Sequence, residues 1–120
     1  MTAARRGRRA EALAAWWLRL KGYRILARGR VTGRGTGAGE IDIIARRGRT
    51  VVFVEVKARP TLAMALEAIA PAQRRRIVRA AQTFMARRPE LAGCDVRFDA
   101  VLVTPGSFPR HISDAWRMDA

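Results

Sequence analysis

This chain is poor in several kinds of residue, and each scarcity closes off a class of protein. Cys94 is the sole cysteine, so no internal disulfide can form and a reducing, cytoplasmic setting is expected. His111 is the sole histidine; beside Arg110 in the tail it reads as a solvated side chain. No apolar run approaches the 18 or so residues of a membrane span, so no membrane partner is expected. The basic stretch Arg5 to Arg9 followed by Ala10 to Leu18 imitates a secretory leader. Glu11 interrupts its apolar part, however, and Arg19 and Lys21 end it without a small-residue cleavage site. Acids are also scarce: 10 against 24 basic residues, a formal net charge of +14.

What is present is arginine. Lys21 and Lys57 are the only lysines, so nearly all the positive charge sits on guanidinium groups. Their planar forks suit bidentate phosphate contacts, and a polyanion partner, nucleic acid, is expected, with a homodimer left open. A GC-rich genome would account for the choice of arginine over lysine, but not for the excess of charge. With 49% hydrophobic residues the chain is no disordered tail. Its 120 residues suit a single domain spanning 1–120, which at that size buries roughly two-thirds of its unfolded surface.

Hydrophobic periodicity predicts a helix over residues 8–21, with Leu13, Trp16, Trp17 and Leu20 at helical spacing and Gly22 as the stop. A first strand over 23–30 and a glycine-rich basic connector over 32–39 follow. Strands are predicted over 40–46 and 50–58, then a helix with Pro71 at its first position or at a kink. Ile77, Val78, Ala81, Phe84 and Met85 form its apolar stripe, and Arg75, Arg76, Arg79 and Arg87 its basic side. A strand over 96–103 is the last regular element, and a short helical turn is expected around Ser113–Arg117. The fold class is therefore α/β, a mixed sheet covered on both faces.

The chemistry lies in the second and third strands. Gly48-Arg49 suits a two-residue type II′ turn, which pairs Ile43 with Val54, Ile44 with Phe53 and Ala45 with Val52. Continued outward, the same register sets Ile41 opposite Val56, Asp42 opposite Glu55 and Glu40 opposite Lys57. Two carboxylates that close repel, and in a buried strand they raise a pKa or recruit a cation. With only oxygen donors at hand, the cation would be Mg²⁺ or Mn²⁺ rather than zinc. Lys57, on the face of Glu55, could hold a water or stabilise charge on a phosphorane. A pair of cross-strand ion pairs, Glu40 with Lys57 and Asp42 with an arginine, is the plainer alternative.

The two segments Gly39-Glu40-Ile41-Asp42-Ile43-Ile44-Ala45 and Val52-Phe53-Val54-Glu55-Val56-Lys57-Ala58-Arg59 resemble the PD-(D/E)XK nuclease superfamily. More narrowly the chain resembles the YraN family, uncharacterised protein family 0102, which is similar to archaeal Holliday-junction resolvases. Gly7, Glu11 and Ala14, Gly22 to Leu26, Gln73 to Ala81, and Arg97-Phe98-Asp99 extend the likeness over most of the chain. Asp99 itself reads as a salt-bridge partner of Arg97, with no part in catalysis. The likeness implies an αβββαβ restriction-endonuclease-like core and Mg²⁺-dependent hydrolysis of phosphodiester bonds in DNA, branched DNA included. Asp42, Glu55, the Val56 carbonyl and Glu11 would be metal ligands, with Lys57 positioning the attacking water. A solvent-facing Glu11 paired with Arg8 is the competing expectation. Glu40 and Gln73 would be auxiliary, Gln73 standing where relatives often carry lysine. Arg30, Arg59, Arg75, Arg76 and Arg79 would contact nucleic acid. Two other functions fit the same composition: a nucleic-acid-binding accessory protein with little turnover, and a basic RNA- or ribosome-associated module.

Overall fold

The computed structural model describes residues 3–32, 40–69 and 71–117, the side chains at 3–6, 30–32, 40 and 72 excepted. The glycine-rich connector at 33–39 lies outside the described residues. The first helix, α1 (Ala3–Leu20), begins earlier than its apolar periodicity suggests. It ends in a Schellman turn: Gly22, at φ 91°, donates to the Arg19 carbonyl, and Tyr23 donates to that of Leu18, both at 3.0 Å. That turn feeds β1 (Arg24–Thr32), then β2 (Glu40–Arg47) and β3 (Thr50–Ala58). Gly48 sits at φ 62°, the backbone that a type II′ turn asks of its first central residue.

A short helix, α2 (Leu62–Glu67), starts at Thr61, whose hydroxyl accepts from the Met64 amide. Pro71 opens α3 (Pro71–Ala86), and a 3₁₀ turn at Pro89–Leu91 leads into β4 (Asp95–Val103). Among the described residues five strands lie in chain order, all neighbours antiparallel except β3 and β4, which α2 and α3 connect as a parallel pair. This is the expected αβββαβ order with one short helix, α2, and one strand more. α1 covers one face over Ile43, Ala45, Val52, Val54 and Val101; α2 and α3 cover the other over Ile44, Phe53, Phe98, Ala100 and Leu102. Among the described residues no helix is long and apolar enough to cross a membrane.

The chain departs from its sequence pattern in two places. The tail forms a strand, β5 (Arg110–Trp116), where a helical turn around Ser113–Arg117 was expected. Trp116 pairs with Phe98 and stacks on its ring (5.8 Å between centroids), burial that a solvent-side turn could not provide. His111, expected in solvent, has a side chain only 1% exposed, because its strand position opposite Val101 points it beneath α1.

The second departure is in the central hairpin. The ladder holds from Arg47/Thr50 to Ile43/Val54 and stops there, so Ile41–Val56, Asp42–Glu55 and Glu40–Lys57 are not ladder pairs. Beyond that point β2 stays with β1, and β3 stays with β4 as far as Ala58/Val103. The central strands fork. Ile43 packs under α1 whereas Ile41 packs on the α3 side, so the alternation of β2 changes across Asp42. Directly opposed carboxylates repel. A fork turns one of them towards the backbone of the other strand instead.

Candidate active site

The fork frees the outer part of β3 from β2, and Asp42 takes over there. Its Oδ2 accepts from the Val56 amide at 2.8 Å, replacing a backbone acceptor that the ladder no longer supplies. Glu55, on the face towards α3, is 3% exposed. Its Oε1 accepts from Lys57 Nζ at 2.9 Å and from Gln73 Nε2 at 2.8 Å. Lys57 is two residues along the same strand and therefore on the same face. Gln73 comes from the first turn of α3, positioned there by the helix start at Pro71. Four residues from three elements thus meet at the mouth of the fork.

Glu55 is held in an unfavourable setting. Burial, and then the negative charge of Asp42, push its carboxyl up to about 7, against the opposing pull of Lys57 and Gln73. Both of its donors converge on one oxygen. A divalent cation between Asp42 and Glu55 would remove the repulsion and offset the burial of charge. The donors are hard oxygens, which suits Mg²⁺ or Mn²⁺. The residues present therefore fit such an ion, with the Val56 carbonyl adjoining.

The structure separates the remaining expected residues into two groups. Glu11, on the sheet side of α1, pairs with Arg28 at 3.2 Å rather than with Arg8. Among the described residues, no three His, Cys, Asp or Glu side chains group as a metal site, so Glu11 does not join Asp42 and Glu55. Arg59, Arg75, Arg76 and Arg79 are exposed, the last three along the outer side of α3. The side chains of Arg30 and Glu40 lie outside those described.

One cluster was expected only as an Arg97–Asp99 ion pair and is larger than that. On the opposite face of the sheet, Arg97 grips Asp99 through two hydrogen bonds of 2.9 and 2.8 Å. His111 Nε2 lies 2.7 Å from Asp99 Oδ2, and the Asp114 amide donates to Oδ1 at 3.0 Å. Arg97 also donates to the Tyr23 hydroxyl at 2.6 Å, and Lys21 Nζ lies 2.6 Å from His111 Nδ1. Arg97 and Asp99 alternate on one strand and so share a face, which was legible; the arrival of His111 depends on β5, which was not.

The uncharacterised protein family UPF0102 matches residues 10–103, a span that includes every residue of the fork. The chain belongs to this family. A UPF0102 protein of Paramagnetospirillum magneticum is 66% identical over 117 residues, covering 98% of this chain and 91% of the relative. UPF0102 proteins of Parvibaculum lavamentivorans and Methylocella silvestris are 51% and 53% identical, covering 98% and 94% of this chain and 85% and 88% of theirs.

Proposed function

We propose that this chain is a Mg²⁺- or Mn²⁺-dependent endonuclease of the PD-(D/E)XK type, acting on DNA in the cytoplasm, with branched DNA among its substrates. The observation that carries this reading is the meeting of Asp42, Glu55, Lys57 and Gln73 at the fork. Asp42 and Glu55, with the Val56 carbonyl, would hold the cation. Bound there, the ion would act as a Lewis acid towards the scissile phosphate and lower the pKa of water. Lys57, paired with Glu55 in this structure, would with a cation held there be free to orient the attacking water and to stabilise charge on the phosphorane. Gln73 holds Glu55 in place through its amide. In-line attack on phosphorus would leave a 5′-phosphate and a 3′-hydroxyl. Exposed Arg75, Arg76 and Arg79 supply phosphate contacts beside this site.

A second reading has a specific observation in its favour. Glu11 is engaged by Arg28, which leaves two carboxylates at the fork. A nucleic-acid-binding accessory protein with little turnover needs no more than that.

Nicking of linear, flapped and four-way DNA in Mg²⁺, Mn²⁺, Ca²⁺ or EDTA tests the choice. Wild type should nick in Mn²⁺, and Lys57→Ala should keep metal and DNA affinity but lose at least about 10²-fold in rate. Equal rates in wild type, Lys57→Ala and Glu55→Ala would expose a contaminant and remove the enzyme reading.

A further inference from the structure

Large apolar side chains stand exposed on the α1 side of the molecule, away from the carboxylate fork. Trp16 is 43% exposed, and its ring lies 6.0 Å from that of Trp17. Trp17 in turn stacks on Phe108, with centroids 5.6 Å apart and planes inclined by 24°. Phe108 belongs to the β4–β5 connection and is 74% exposed even with one face against Trp17. Three aromatic rings therefore run in a row from helix to loop, the outer two open to solvent. Neither core cluster includes them.

Their surroundings decide what would cover them. Exposed Arg19 and Arg110 flank the row, and no carboxylate occurs between Ala12 and Tyr23 or between Ala100 and Ile112. A second copy of the chain placed here would bring like charges together. A polyanion carrying flat apolar rings would satisfy both features at once. The row bridges two ends of the sheet: Trp17 lies one turn before Lys21, whose carbonyl Arg47 holds at the hairpin-turn end, and the Phe108 loop starts from the other end. β3 and β4 are parallel, with Lys57 opposite Leu102 and Ala58 opposite Val103, and the Arg59 amide donates to the Val103 carbonyl at 3.1 Å. The loop that carries Phe108 leaves β4 directly beyond that point.

We infer that Trp16, Trp17 and Phe108 form a stacking platform for unpaired bases, so that the nucleic acid taken by this protein has a single-stranded segment. Bases stack on such rings without regard to sequence, while flanking arginines hold the phosphates. The inference rests on the nucleic-acid reading above and narrows it: the preferred DNA is a flap, an overhang or an opened junction arm rather than a continuous duplex. The unpaired strand would lie over the α1 face and round the end of the sheet towards Lys57.

The test compares a short oligo-dT strand with a blunt duplex of equal length, binding wild type, Phe108→Ala and Trp16→Ala. Both positions are exposed, and circular dichroism verifies that each variant is folded. Each substitution should weaken oligo-dT binding about tenfold and leave duplex binding unchanged. Oligo-dT, and not duplex, should quench the tryptophan fluorescence of wild type. Equal losses on strand and duplex, or no loss on either, would overturn the platform while the nucleic-acid reading stands. A wild type that binds neither would overturn both. A dimer in sedimentation that Phe108→Ala dissociates, with oligo-dT affinity unmoved, would assign the rings to self-association instead.

Discussion

Glu55 and Asp99 are both buried carboxylates on neighbouring strands of one sheet, yet their environments act in opposite directions. Burial raises the pKa of each. At Asp99 the paired hydrogen bonds of Arg97, with those of His111 and the Asp114 amide, outweigh burial and bring the pKa down to about 2. At Glu55 burial acts together with the charge of Asp42; Lys57 and Gln73 do not outweigh them, and the carboxyl rises to about 7. The difference is one of supply. Asp99 has donors to both oxygens, and the carboxylate of neighbouring Asp114 is taken up by Arg117. Glu55 has donors on a single oxygen and a second carboxylate near it. One carboxylate is complete as the chain folds, whereas the other lacks part of its set, which under the proposed function a cation would supply. A buried charge without its full set of partners is where a search for function should begin.

The largest effect expected from this contrast is at Asp99. Asp99→Asn leaves Arg97 and His111 facing a neutral amide, and breaking a buried pair of this kind costs about 3–5 kcal/mol. Urea unfolding at neutral pH should show a lowered midpoint with an unchanged slope. The pH dependence has a definite sign. A carboxyl whose folded pKa lies below its ordinary value stabilises the protein above pH 4, and that stability is lost as pH falls from about 4 to 2. Wild type should therefore lose on the order of 2 kcal/mol over that interval, and Asp99→Asn should lack this component. Wild type and variant falling in parallel through that range would place the acid-sensitive group elsewhere.

Glu55 should respond in the other direction. Its folded pKa lies above the ordinary value, so in the metal-free protein stability declines as pH rises from 4.5 to about 7. Removing the charge with Glu55→Gln should therefore stabilise the metal-free protein at pH 8, by on the order of 2 kcal/mol. The gain should vanish below pH 4.5. Mn²⁺ should reverse the ranking, raising the Tm of wild type and leaving that of Glu55→Gln unmoved. A Glu55→Gln variant less stable than wild type at pH 8 without metal would mean that the Lys57 ion pair outweighs the repulsion, and the contrast with Asp99 would fail.

How much of this was legible in the sequence differs between the two carboxylates. The hairpin register followed from Gly48-Arg49 and held through Ile43 and Val54, which put Asp42 and Glu55 in one neighbourhood. That the ladder then forks was hidden, because it depends on β1, whose register slips between Arg28 and Val31 as β2 follows it. Lys57 therefore turns to Glu55 rather than being set opposite Glu40. Beyond the Arg97–Asp99 pair, the second cluster was hidden for a different reason. Two extra residues bulge from β5 between the partners of Phe98 and Ala100, and Asp114 adopts a left-handed φ of 55°, which a short polar side chain tolerates. The bulge breaks the alternation by which a strand is recognised, so the tail read as a turn and His111 as solvated. Pairing with β4 is non-local and leaves little trace in the local pattern. The Pro105-Gly106 pair after β4 was the one available cue that the chain reverses there, and Gly106 does take a positive φ of 74°.

The smallest expected effect is at a third carboxylate, and it is the one that most sharpens the comparison. Glu11 is neither as completed as Asp99 nor as crowded as Glu55. Among the described residues its partner is Arg28, whose side chain is 38% exposed, and its own side chain is 14% exposed. An ion pair that open to water is worth about 0.2–1 kcal/mol, because solvent screens it and ordering two long side chains costs entropy. Glu11→Gln should therefore shift the urea midpoint only slightly, and salt should reduce the difference further. Calorimetry with Mn²⁺ then gives the decisive reading. If the fork binds its cation through Asp42 and Glu55, Glu11→Gln should titrate like wild type while Asp42→Ala and Glu55→Gln should not bind. A loss of Mn²⁺ binding in Glu11→Gln, with stability nearly intact, would mean that Glu11 leaves Arg28 for the metal. The ion pair seen here would then be the resting state of a three-carboxylate site, and the accessory-protein reading would lose the observation that favours it.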